Sequence, residues 1–94
     1  MKGARRFRDY LNEQLRDPDV RKAYQEEGFF VELAIQIVRL REQRGLSQRE
    51  LAHRLQTSQQ TISRLESPRN SSLSLRTLVK LAHALGKDVR VQFV

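Results

Sequence analysis

The chain has no cysteine in 94 residues, and that absence excludes a disulfide framework, a thiolate zinc site and a cysteine nucleophile together. No apolar run approaches the roughly 18 residues that a membrane span requires. The opening residues, Met-Lys-Gly-Ala-Arg-Arg-Phe-Arg, lack the apolar core of a signal peptide, so a cytoplasmic location without membrane association is expected. Aromatic residues are few, and all six lie outside residues 31–92, which argues against a single-strand RNA reader, whose bases stack on exposed rings. Catalytic groupings are also missing. His53 and His83 have no third ligand or carboxylate pair at metal or catalytic spacing, and Glu26-Glu27 reads as surface charge. Neither an enzyme nor a cofactor is therefore expected. There is no internal repeat or low-complexity tract.

What is present fits one small helical domain with a short extra arm. Apolar residues make up 38% and charged residues 31%, a balance that suits a packed core better than a disordered chain. Eighteen Lys and Arg outweigh eleven Asp and Glu to leave a formal charge of +7, and fourteen of the eighteen basic residues are Arg. A polyanionic partner follows, since the planar guanidinium fork matches phosphates and guanine edges. The excess is unevenly placed: residues 1–28 carry a net +1 and residues 29–94 a net +6.

Helical spacing and punctuation divide the chain. Phe7, Tyr10, Leu11 and Leu15 recur with a helical period, and Asp17-Pro18 ends that run while capping a second, short helix that reaches about Glu27. Gly28 is expected to break it. Phe30, Leu33, Ala34, Ile37, Leu40 and Arg44 then mark one face of a longer helix that closes at Gly45. Ser47 with Glu50 forms a capping box for a helix whose inner face is Leu51, Ala52 and Leu55. Thr57-Ser58 restarts the chain into Gln59 to Glu66, with Ile62 and Leu65 inward. After the polar loop beginning at Pro68, Ser74 caps a last helix carrying Leu75, Leu78, Leu81, Ala82 and Leu85, closed by Gly86. Val89, Val91 and Phe93 alternate with Arg90, Gln92 and Val94, the period of a strand.

Two short helices joined by three or four residues, flanked by supporting helices, can place one helix in the major groove of duplex DNA. The outward face of the second carries Ser58, Gln59, Gln60, Ser63 and Arg64. Gln pairs bidentately with adenine and Arg with guanine. Taken alone, such a face is equally the solvated side of a helix.

From about Ile37 to Leu85, the stretches "IVRLREQRGLSQRELAHRLQTSQQTISRLE" and "SLRTLVKLAHALG" resemble the XRE family, which includes the lambdoid phage repressors and Cro, themselves the standard examples of helix-turn-helix docking. The resemblance implies an all-α fold, a five-helix lambda-repressor-like helix-turn-helix domain over residues 29–87, to which the patterning adds an N-terminal helical arm over 1–28 and a short C-terminal β-strand over 88–94. It implies a sequence-specific regulator of transcription on double-stranded DNA, with Gln59, Gln60, Ser63 and Arg64 reading bases. Phosphate contacts would come from Gln48, Ser58, Arg69, Asn70 and Ser71. Arg41 and Glu66 would form a partly buried ion pair, the bland alternative being a routine surface pair. Three positions depart from the family pattern. Gln56 stands where Gly is usual and must turn left-handed, Ser67-Pro68 replaces the Gly after the motif-ending Glu, and Leu73 replaces a Pro. The loop at 67–73, with its phosphate contacts, is therefore expected to run differently.

The arm holds Phe7, Tyr10, Leu11, Leu15, Val20 and Tyr24, apolar residues that something must cover. Its segment "YLNEQLRDPDVRKAYQEE" is similar to the start of HigA-like antitoxins of type II toxin–antitoxin modules. That likeness implies that Phe7, Tyr10, Leu11, Leu15 and Tyr24 meet a RelE- or HigB-like ribonuclease toxin while the second part represses the operon. The alternatives are an arm folded back on its own domain and a stand-alone repressor with no toxin. The strand at 88–94 has no partner in the sequence, so Val89, Val91 and Phe93 are expected to dimerise with a second copy, in keeping with a palindromic operator.

Overall fold

The computed structural model describes residues 7–67 and 73–94, and these form five helices: α1 (Phe7–Gln14), α2 (Pro18–Gln43), α3 (Gln48–Leu55), α4 (Gln59–Leu65) and α5 (Leu75–Ala84). Each start has a local chemical cause. The Asp17 carboxylate accepts from the Asp19 N–H at 2.9 Å, and Pro18 occupies a first-turn position where a missing N–H loses no helical bond. At α3 the capping box closes in both directions: Glu50 N donates to Ser47 Oγ at 3.0 Å, and Ser47 N donates to Glu50 Oε1 at 2.8 Å. The Ser47 backbone N–H, and then its side chain, hold the Glu50 carboxyl below the usual glutamate range. Ser58 and Ser74 cap α4 and α5 by accepting from the N–H of Thr61 and of Thr77, each at 3.1 Å.

Three helix ends share one closure. An N–H two or three residues past each end donates back five residues: Leu46 to Arg41 O, Thr57 to Ala52 O and Lys87 to Ala82 O. This closure needs a left-handed residue just before the donor. Gly45 (φ +66°) and Gly86 (φ +72°) fill it twice, and Gln56 (φ +55°, ψ +46°) fills it between α3 and α4. Gln56 thus carries a Cβ where the other two ends have none.

Two apolar clusters lie on different faces of α2. Ile37 joins Leu51, Ala52, Ile62, Leu65, Leu81 and Leu85 in the larger one, which binds α2, α3, α4 and α5 together. Burying each of its large aliphatics fully is worth roughly 1.5–3 kcal/mol, and Leu51 and Ile62 have no exposed surface at all. Ala52, 3% exposed, lets α3 and α4 approach closely. Val31 and Ile35 join Leu11 and Ala23 in the second cluster, against which Phe7, Tyr10, Leu15, Val20 and Tyr24 pack. The Arg39 guanidinium lies 5.9 Å from the Phe7 ring centre and 5.4 Å from that of Tyr10, within cation–π range. Among the described residues no helix is long and apolar enough to cross a membrane.

One sequence expectation is overturned. The C-terminal β-strand is absent: residues 87–94 have no regular structure, and no strand occurs among the described residues. Alternation of apolar side chains is a local property, whereas a strand exists only as a ladder with a neighbour, and the described chain offers none. Val89 instead is half-buried, lining a groove of about 330 Å³ between α2 and α5. The expected break beside Gly28 is present: two helical segments of α2 meet across a kink at Glu27 (φ −140°, ψ 53°). Tyr24 covers Gly28, and its hydroxyl donates across the bend to Glu32 Oε2 at 2.9 Å, a bond that raises the Tyr24 pKa. The arm's apolar residues pack within the chain, as in the alternative of an arm folded back on its own domain.

Relieving the left-handed strain at position 56 is expected to stabilise the fold. Gln56→Gly removes a steric cost of about 1 kcal/mol and should raise the urea midpoint without altering the slope; an unchanged midpoint would mean that the Gln56 side chain compensates the strain.

Candidate nucleic-acid interface

The outward face of α4 follows from its inward one. Ile62 and Leu65 are buried, which turns Gln59, Gln60, Ser63 and Arg64 to solvent, where all four are exposed. These residues are brought together on one face of a helix too short to hold itself in water, so its direction is imposed by what it packs on.

The strongest fixed point is at its end. Glu66 caps α4, and its carboxylate accepts three hydrogen bonds: from Arg41 Nε at 2.6 Å, from Arg41 Nη2 at 3.1 Å and from Gln48 Nε2 at 2.9 Å. Arg41 Nη1 donates to Leu46 O at 2.7 Å. One guanidinium and one carboxylate thereby tie together α2, the turn into α3, the first residue of α3 and the end of α4. The Arg41 and Glu66 side chains are only 13% and 5% exposed, and the Glu66 hydrogen bond pushes the Arg41 pKa further up. Bidentate geometry with low exposure puts this pair among the strong ones.

The residues expected to contact phosphate are placed unevenly. Gln48 starts α3, half-buried, with one side-chain N–H committed to Glu66 and the second free to donate elsewhere. The Ser58 hydroxyl is taken up in capping α4, accepting from Thr61 N and bonded to Thr61 Oγ1 at 2.9 Å. Arg69, Asn70 and Ser71 lie outside the described residues. At the chain's other surfaces, Phe7, Tyr10, Leu15 and Tyr24 are half-buried and Leu11 buried on α2, while Val91 and Phe93 are exposed.

Sequence reasoning missed two features. The Gln48–Glu66 bond joins residues 18 apart and leaves no trace in any local pattern. Phe29, 69% exposed and packed edge-to-face on Phe30 at 5.3 Å, was legible as an apolar residue beside Gly28, without a sign of its exposure. Among the described residues no group of three or more His, Asp or Glu could hold a metal ion.

A family model described as helix-turn-helix matches residues 37–92, well over half of the chain. No curated protein and no solved structure matches.

Removing either charged member of the Glu66 cluster leaves the other a largely buried charge without its counter-ion. Glu66→Ala and Arg41→Ala should each lower unfolding free energy by about 3 kcal/mol, the low end for breaking a buried pair. The double substitution should cost clearly less than the sum in a double-mutant cycle; additive losses would show that the two side chains stabilise the fold independently.

Proposed function

The chain belongs to the helix-turn-helix family and is a DNA-binding transcriptional regulator, and from that premise we propose that it acts as a homodimer that represses transcription from a palindromic operator. The observation that carries this reading is the solvent face of α4, four polar side chains in one row on a helix whose orientation is fixed at Glu66. Gln59 and Gln60 read base edges, with Ser63 and Arg64 one turn further along the same face. Gln48 donates its second N–H to a backbone phosphate, and Ser58, Arg69, Asn70 and Ser71 supply further phosphate contacts.

Two copies are supported by the apolar surface left uncovered. Phe29 and Val91 border the groove between α2 and α5, and Phe93 just beyond is 98% exposed. A second copy that covers Val89, Val91 and Phe93 would present two α4 helices to successive major grooves about 34 Å apart.

A toxin-neutralising role is a second reading, supported by the arm's likeness to HigA-like antitoxins. Because the arm's apolar residues are packed on α2, a RelE- or HigB-like toxin would meet the polar outer face of α1, and recovery of a stable complex on co-expression is the test of that role.

Selection of duplexes from random sequence, followed by competition, tests base readout. Gln60→Ala should flatten the preference between selected and scrambled duplexes by about 1–3 kcal/mol while Arg69→Ala weakens both alike; equal loss on every sequence from Gln60→Ala would remove that residue from base readout. Sedimentation tests the dimer. Phe93→Asp should shift the chain to monomer mass, and an undiminished dimer would place the interface elsewhere.

A further inference from the structure

Between Glu50 and Asp88 the sequence holds one acidic residue, Glu66, against six Lys and Arg. Glu66 is 5% exposed and already bound to Arg41 and Gln48, so α4 and α5 show no exposed negative charge. A cleft of about 240 Å³ runs between these two helices. Leu55 and Leu65 form its floor, and Thr57, Thr61, Thr77 and Lys80 its rim. Lys80 is exposed, and no ion pair holds it among the described residues. Ser74 Oγ donates to Thr77 Oγ1 at 2.8 Å, which leaves the Thr77 O–H free to donate elsewhere.

The cleft has a defined place relative to the base-reading face. With 3.6 residues per turn, the side chains around the outer half of α4 run in the order Glu66, Gln59, Ser63, Gln60, Arg64, Thr61. Glu66, with Gln48 beside it, stands at one edge of the face, and Thr61, with the cleft beside it, stands at the other. A helix in the major groove, about 12 Å wide, has a sugar-phosphate strand along each edge. Gln48 serves the first strand and leaves the second without a described contact.

We propose that the α4–α5 cleft seats a phosphate of the second DNA strand, with Lys80 supplying the charge and the Thr57 and Thr77 hydroxyls the hydrogen bonds. This rests on the DNA-binding reading of α4. A lysine suits the site because its compact ammonium meets a phosphate as a point charge and carries no base information. Lys80 is therefore an affinity residue, distinct from the specificity residues Gln59 and Gln60.

The test is the salt dependence of binding by the full chain to a labelled mixed-sequence duplex, read by fluorescence anisotropy. Lys80→Ala should make the slope of log K against log salt shallower by about 0.9, the value for one lost phosphate contact, and weaken selected and scrambled duplexes alike. Lys80→Arg should restore the slope. Since Lys80 is exposed, the variants should melt as the wild type does, and Lys80→Gln carries the same expectation as alanine. A Lys80→Ala slope equal to that of a wild type that binds would overturn the proposal while leaving the DNA reading intact. A wild type that binds no duplex would overturn both.

Discussion

The three hydrogen bonds accepted by Glu66 fix the helix that carries the proposed DNA-reading face. α4 has seven residues, too few to be stable alone, and its apolar contacts with α3 define a packing face without setting how far it may slide or roll. The carboxylate at its end adds that restraint. It is held by a guanidinium from α2 and an amide from the start of α3, while the same guanidinium holds the carbonyl of Leu46 in the intervening turn. Because both charged side chains are largely withdrawn from water, salt screens the pair far less than a surface ion pair. The interface can therefore depend on salt in its DNA contacts while its internal geometry stays fixed.

The same economy appears in α2. One bent helix carries two apolar faces, Ile37 toward the helix-turn-helix core and Val31 with Ile35 toward the arm. The arm is thereby packed against the element that carries Arg41. Charge follows this division. The arm's residues 1–28 are nearly neutral, and the net +6 belongs to residues 29–94, where α4 and α5 show no exposed acid. Positive charge draws the chain to any duplex, whereas the uncharged Gln59 and Gln60 are suited to tell one duplex from another.

Features whose cause is local were legible in the sequence. The capping box at Ser47 and Glu50, the Asp17 cap and the serine cap at 74 each depend on residues within a few positions of one another, whereas the left-handed turn at Gln56 was reached through the family pattern. Pairing of Arg41 with Glu66 was reachable only through the family resemblance. Features that depend on distant neighbours were not legible. Alternation over Val89, Val91 and Phe93 described one side of a strand whose other side the described chain does not contain. The break beside Gly28 was legible because glycine's cost inside a helix is intrinsic, whereas the Tyr24–Glu32 bond that spans the kink at Glu27 was not. Periodicity identified the apolar face of the arm correctly and was silent on what covers it, which proved to be α2. Gln48 was read as a phosphate contact alone, since nothing nearby in sequence announces Glu66.

The central claim is that DNA meets this chain on the outer face of α4, held by α3 and flanked by α5. Backbone and side-chain amide chemical shifts, followed as a selected duplex is added to the labelled full chain, test it most directly. The account predicts that the largest changes fall on Gln48, Gln59, Gln60, Ser63 and Arg64, with residues 7–27 little affected. Changes concentrated on the arm or around Phe29, with α4 unmoved, would contradict it.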